Sequence, residues 1–174
     1  FSDHPCIVKR CIDEGKFGKL LFCEATTKWF RTQEYYDSGG WRGTWKLDGG
    51  GSFINQSVHY IDLMIWMMGD VDTVFALSEA KTHRIETEDI TVAVCRFANG
   101  AFGNAIGSTD IYPGLPERIE VYGELGSAAL SGDRIDLWKF QDGSEPPTTA
   151  PSGEHASDGS SDPMAIPVEG HRRQ

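Results

Sequence analysis

The 174-residue chain is 39% apolar and 24% charged, a composition that suits one globular domain with a sizeable core. Sixteen Lys and Arg stand against 26 Asp and Glu, and a net charge of −10 argues against a nucleic-acid partner. No apolar run approaches the ~20 residues of a membrane-spanning helix, so no membrane role is expected. Cys6, Cys11, Cys23 and Cys95 form no C-x-x-C pair and suit a reduced, cytoplasmic protein better than a disulfide scaffold or a zinc site. The chain opens at Phe1 rather than Met and no signal-peptide pattern follows, so we read residues 1–174 as a single domain cut from a longer protein.

Pro5–Glu14 reads as a short helix with Cys6, Ile7, Val8, Cys11 and Ile12 as its apolar residues and Gly15 as its stop. Lys19–Phe30 reads as a strand. Arg31–Asp48 has no period and reads as an ordered loop, unusual in holding Tyr35, Tyr36, Trp41 and Trp45. Ser52–Met68 is the clearest helix: Ile54, Val58, Ile61, Ile65 and Met68 form a core stripe, and Gly69 supplies the stop. Rotated by one residue, Asn55, His59, Asp62 and Trp66 share a second line on a helix otherwise apolar nearly all round.

Strands follow over Val71–Lys81, Ile90–Phe97, Ala101–Ser108, Arg118–Tyr122, Ser127–Leu130 and Arg134–Phe140. Asn99-Gly100 between two of them signals a two-residue hairpin with positive φ at both positions. Helices first and closely spaced strands later predict an α+β domain, with an open, largely antiparallel but mixed sheet and helices on one face. Gln141–Pro163 holds four of the eight prolines, five acids and no Lys, Arg or large apolar residue, which predicts a mobile surface loop. Apolar character resumes at Met164–Val168.

Gly49-Gly50-Gly51 opens the main helix without a preceding strand or a dinucleotide or P-loop pattern, so we read it as a place where backbone passes close to a ligand. His59 flanked by Asn55 and Asp62 has the composition of an acid–base site: a carboxylate can orient an imidazole, and an amide one turn earlier can hold a substrate hydroxyl. His83, Glu86, Glu88 and Asp89 match no metal motif and read as a solvated loop, so no metal is expected. Ser57 and Ser108 lie in no nucleophile-elbow pattern.

Tyr35-Tyr36, Trp41-Arg42-Gly43-Thr44-Trp45, Asp48-Gly49-Gly50-Gly51 and Asn55-Gln56-Ser57-Val58-His59-Tyr60-Ile61-Asp62 together closely resemble the C-terminal domain of the Gfo/Idh/MocA oxidoreductases, the family of glucose–fructose oxidoreductase and inositol dehydrogenase. Weaker matches are the Pro5–Gly18 segment, Glu88-Asp89 before a strand, Asn99-Gly100, Gly123-Glu124-Leu125-Gly126 and Gly170-His171. The resemblance implies a two-domain enzyme in which a Rossmann domain binds NAD or NADP, and this second domain binds substrate and forms the oligomer through its sheet. The dinucleotide fingerprint and the family's Glu-Lys-Pro motif, with its catalytic lysine, are absent here, and so are the family's closing helices. No cofactor is therefore expected to bind these 174 residues alone.

The family commonly has Asp four residues before the histidine. Asn55 stands there in this chain and an amide cannot act as a base, so the resemblance puts the acid–base role on His59, oriented by Asp62, together with the lysine of the absent Glu-Lys-Pro motif. Asn55, Gln56 and Arg42 would position the substrate, and Trp41 or Tyr36 would stack on a sugar face. The Asn-Gln version resembles the branch that oxidises UDP-N-acetylglucosamine-uronate-type sugar nucleotides, while neighbouring branches oxidise free sugars or inositols. The expected function is hydride transfer between a carbinol carbon and nicotinamide. The alternatives are an NAD-assisted glycosidase of the same family and a non-catalytic, sheet-forming assembly module.

Overall fold

The computed structural model describes residues 3–132 and 134–146. Most of the expected 141–163 loop, and all of Met164–Val168 and Gly170-His171, lie outside the described residues. The elements in chain order are α1 (Asp3–Asp13), β1 (Leu20–Lys28), α2 (Gln33–Asp37), α3 (Ser52–Asn55), α4 (Val58–Met68), β2 (Val71–Glu79), β3 (Ile90–Phe97), β4 (Phe102–Ser108), β5 (Arg118–Gly123), β6 (Gly126–Ser131) and β7 (Arg134–Phe140). Among the described residues no helix is long and apolar enough to cross a membrane.

The strands form one seven-stranded sheet in the order β2-β3-β4-β1-β5-β6-β7. Every neighbouring pair is antiparallel except β1 and β4. A parallel pair needs a long crossover, and here the crossover carries the loop after β1 and all the remaining helices. The fold is α+β, with a mixed and mostly antiparallel sheet.

Ala93, Ala105, Ala25, Ile119 and Leu130 lie side by side across five strands on one face. All five are buried. Small side chains in this row let helices approach closely: α4 brings Leu63, Met64, Met67 and Met68, and α1 brings Ile7, Val8 and Cys11. On the opposite face Phe75 pairs with Val94 and Leu77 with Val92. Phe75 is 66% exposed and Leu77 69%. Val92, Val94 and Phe102 are exposed beside them, so this half of the sheet shows an uncovered apolar surface.

Three readings of the sequence need correction. The helix expected over Ser52–Met68 is two helices. The Ser57 N–H skips one residue and donates to the Ser52 carbonyl (3.1 Å), and the Ser57 hydroxyl donates to the same oxygen (3.0 Å). Ser57 is buried against Gly107 of β4, and this wider turn resets the helical phase. The core stripe fails with it: Ile54 (52%), Val58 (36%) and Ile65 (40%) are exposed, Ile61 is half-buried, and only Met68 of the five is buried. The Asn99-Gly100 connection is not the expected two-residue turn. Gly100 alone has positive φ (+88°), and the Phe97 and Ala101 backbones close a three-residue loop, with the Asn99 Oδ1 accepting from Ala101 N–H. A local Asx bond competes with positive φ at Asn99 and wins. A short helix, α2, also lies within the stretch expected to be loop.

Gly51 gives the fold its sharpest test. A Cβ there would sit 1.8 Å from the Glu88 carbonyl oxygen, whereas Gly40 has open space around its Cα. Gly51→Ala should cost about 3 kcal/mol or more in a denaturant melt, because the obstacle is backbone, while Gly40→Ala should be near neutral.

Candidate functional site

Glu88 organises the glycine turn. Its carboxylate accepts the Gly51 N–H (3.0 and 3.2 Å) and the Phe53 N–H (3.0 Å), and its carbonyl accepts the Ser52 N–H (3.0 Å). A carboxylate at orphan amides of a helix start is a strong charge-assisted arrangement. Gly51 of the triple glycine thus lies directly against Glu88. Asn55 closes the turn by donating Nδ2–H to the Gly50 carbonyl (2.9 Å).

Beside this turn lies a cavity of about 240 Å³, walled by Tyr35, Tyr36, Trp41 and Arg42 on one side and by Asp48, Gly51, Asn55 and Gln56 on the other. Five of the seven expected site residues thus line one space. The Arg42 guanidinium stacks between Tyr35 (4.5 Å) and Trp41 (5.0 Å), and its Nη1 donates to the Ser38 hydroxyl (2.7 Å). Arg42 Nε and Gln56 Oε1 are buried and lack hydrogen-bond partners. Tyr36 is a fixed wall: its ring packs on His83 (4.7 Å) and its hydroxyl bonds Thr109 Oγ1 (2.8 Å). Burial pushes the Tyr36 phenol up to about 12, so it stays protonated. Tyr35 and Asp48 were not named as site residues, although both stand in the motifs that carry the resemblance.

The expected solvated loop over His83–Asp89 is also corrected, since His83 and Asp89 have 5% and 0% exposed side chains. The acids of this loop are turned onto backbone amides. Asp89 accepts the N–H groups of Lys81 (2.6 Å), Thr82 (3.0 Å) and His83 (2.9 Å). Glu86 accepts from Trp45 N–H (3.1 Å). His83 Nδ1 faces Asp89 Oδ2 (3.0 Å) and Asp110 Oδ1 (3.1 Å), and its Nε2 bonds the Arg31 carbonyl (3.0 Å). A carbonyl only accepts, so Nε2 carries a proton. Nδ1 and the two carboxylates all lie within 4.8 Å of one another, as metal ligands can. His83, Asp89 and Asp110 Oδ1 are engaged in hydrogen bonds that tether three loops, while Asp110 Oδ2 is buried without a partner.

Burial pushes the Asp110 carboxyl above its ordinary value, and sharing a proton with the Asp89 carboxylate adds to this, against the pull of the Thr82 hydroxyl and of His83. Burial acts the same way on Asp89, but its three backbone donors and the bond from Asp110 outweigh it and hold Asp89 below the ordinary value.

His59 and Asp62 lie outside the cavity, on exposed positions of α4. The break at Ser57 interrupts the line from Asn55 to His59, while His59 and Asp62 keep their helical spacing. Two further charged residues, Glu117 and Arg31, carried no sequence signal. Glu117, just before β5, lies in electrostatic reach of both His59 and Arg31. Arg31 is buried (6% exposed) and stacks on Trp29 (4.8 Å) and on the cavity residue Tyr35 (5.3 Å).

A family profile, the GFO/IDH/MocA C-terminal domain, matches residues 7–129. The chain belongs to this family. Among solved structures it is similar to the WlbA dehydrogenase of Bordetella pertussis in complex with NADH and UDP-GlcNAcA, with 41% identity and a TM-score of 0.74, covering 78% of this chain and 42% of that one. It is 34% identical over 82 residues to the myo-inositol 2-dehydrogenase of Thermotoga maritima, covering 44% of this chain and 25% of the relative. It is 33% identical over 90 residues to the uncharacterized oxidoreductase YrbE of Bacillus subtilis, covering 49% and 26%. The chain thus spans about a quarter of the length of the curated relatives it matches.

The tether gives a pH signature. Asp89 is lowered, so its stabilisation is present above the ordinary aspartate range and is lost as pH falls through its folded value. Asp110 is raised, so its charge costs stability that appears as pH rises from the ordinary value through its folded one. Asp110→Asn should therefore flatten the fall of melting temperature on the neutral side. Asp89→Asn, with one oxygen for three N–H groups, should cost about 1–3 kcal/mol per orphaned donor.

Proposed function

We propose that this chain is the substrate-binding and oligomerising part of an NAD(P)-dependent dehydrogenase acting in the cytoplasm on an anionic sugar, foremost a uronate-type sugar nucleotide. The observation that carries the reading is the Arg42 guanidinium clasped between Tyr35 and Trp41, with Arg42 Nε and Gln56 Oε1 unpartnered in the same aromatic-walled cavity. Flat aromatic walls suit a sugar ring, and a forked cation suits a carboxylate or phosphate. The complex of the 41%-identical WlbA dehydrogenase with UDP-GlcNAcA supports the same class of substrate.

The described residues do not fit a dinucleotide, because the amides of the one glycine turn that opens a helix are taken by Glu88. The nicotinamide is assigned to another part of the protein, and when bound there it supplies the hydride chemistry. This chain's own residues bind and orient the substrate through Arg42, Gln56, Trp41 and Tyr36. Asn55 holds the glycine turn in shape as the floor of the site. His59, oriented by a carboxylate, takes the hydroxyl proton of the carbon being oxidised.

In the full-length protein with NAD⁺, we expect NADH absorbance to rise with UDP-N-acetylglucosaminuronic acid and not with myo-inositol. Activity on inositol alone would overturn the anionic assignment. His59→Ala should lower kcat by ~10²–10⁴-fold in folded protein, and Arg42→Ala should mainly raise KM. The exposed Phe75, Leu77, Val92, Val94 and Phe102 surface is proposed as the oligomer face. Phe75→Glu with Leu77→Glu should shift sedimentation toward monomer, and an unchanged sedimentation profile would place the interface elsewhere.

A further inference from the structure

We propose that Arg31 is a second anion-binding group of this site and takes the carboxylate of the sugar, leaving the diphosphate to Arg42; the inference rests on the reading of the substrate as a uronate-type sugar nucleotide and says which cation meets which anion. Arg31 is the one arginine buried among the described residues, 6% exposed. A guanidinium taken out of water is costly to hold unless acceptors or an anion replace the water. The chain has 26 acids against 16 bases, yet among the described residues Arg31 forms no ion pair. Its Nη1 donates to the Phe30 carbonyl (3.1 Å), and its Nε is buried without an acceptor. Arg118 is the contrast: half-buried, it meets both Glu120 and Asp136.

The cation is held in a fixed place. Arg31 N–H donates to the Thr109 carbonyl (2.8 Å) and its own carbonyl accepts from His83 Nε2 (3.0 Å), so the main chain is pinned on both sides just past β1. The guanidinium lies over the rings of Trp29 (4.8 Å) and Tyr35 (5.3 Å). Aromatic faces steady a guanidinium without using its N–H groups. A fork of donors on a rigid support matches a planar carboxylate. Tyr35 joins Arg31 to the cavity, since this half-buried ring lines that space and Arg42 stacks on it at 4.5 Å. A ligand group that reaches past Tyr35 therefore meets Arg31. Depth sorts the two anions. Arg42 is half-buried and walls the cavity itself, where a diphosphate carrying a nucleoside is accommodated. Arg31 is more deeply buried, where a small planar group on the sugar ring can follow. A neutral primary alcohol in place of the carboxylate brings no charge to the guanidinium, so this position discriminates the uronate from its uncharged parent sugar.

The test is calorimetric titration of the full-length protein loaded with NADH, which prevents turnover, using UDP-N-acetylglucosaminuronic acid, UDP-N-acetylglucosamine and UDP as probes. We expect the unaltered protein to bind the uronate about 10–100-fold more tightly than the neutral sugar nucleotide, the range of a hydrogen bond to a charged group. Arg31→Met should bring that ratio to within about threefold of one and leave the affinity for UDP in place. Arg42→Gln should do the reverse, weakening UDP and keeping the ratio. A purely structural Arg31 would weaken all three probes alike, and an undiminished ratio in folded Arg31→Met overturns the assignment, as does a loss of UDP binding with the ratio intact. If Arg31→Met fails to fold, Arg31→Lys decides: it keeps the cation and loses the fork, so the ratio should fall severalfold, and an unchanged ratio overturns the proposal. Equal binding of the two sugar nucleotides by the unaltered protein would instead overturn the anionic-substrate reading, so the two failures are distinguishable.

Discussion

The site depends on two consecutive carboxylates at the head of β3. Glu88 holds the amides of Gly51 and Phe53, and Asp89 holds those of Lys81, Thr82 and His83. The main chain of the same two residues takes Ser52 and Thr109. A loop running over a sheet edge has amides that no ladder satisfies, and an ionised carboxylate accepts several at once with charge-assisted strength. Neighbouring side chains on an extended backbone point to opposite sides. Glu88 can therefore serve the glycine turn while Asp89 serves the loop behind Tyr36. Without this pair neither wall of the cavity would have a fixed position.

That dependence explains why Gly51 matters. It lets the backbone of the turn reach Glu88, with room for a hydrogen and nothing more. The same economy recurs at Gly107, where any Cβ would meet Ser57 Oγ at 2.3 Å. Ser57 in turn sets the phase of α4. Cavity-facing and core-facing residues are thus separated by backbone contacts rather than by a repeating side-chain pattern.

This limits what periodicity could reveal. The strands were legible because β3, β4 and β5 alternate under a one-sided load and turns of Gly, Asn and Asp mark bounds. The grouping of Tyr36, Trp41, Arg42, Asn55 and Gln56 was legible because polar and aromatic residues crowd into a stretch with no core pattern. The helix phase was not. Ile54, Val58 and Ile65 are as apolar as Leu63, Met64 and Met67, so two stripes fit equally until the Ser57 turn selects one. His83 and Asp89 looked solvated because charged residues in a connection usually are; only tertiary contact reveals that their partners are amides and one another.

Net charge misleads in the same way. At −10 the whole chain should repel an anion, yet the groups nearest the cavity include two arginines. Long-range repulsion between exposed charges fades over about a Debye length of 8–10 Å at physiological salt, whereas a cation held against low-dielectric aromatic faces keeps its local field. Arg42 between Tyr35 and Trp41, and Arg31 on Trp29 and Tyr35, are held that way. Tyr35 touches both guanidinium groups. The ring thereby holds two cations beside the cavity of a domain whose net charge is −10.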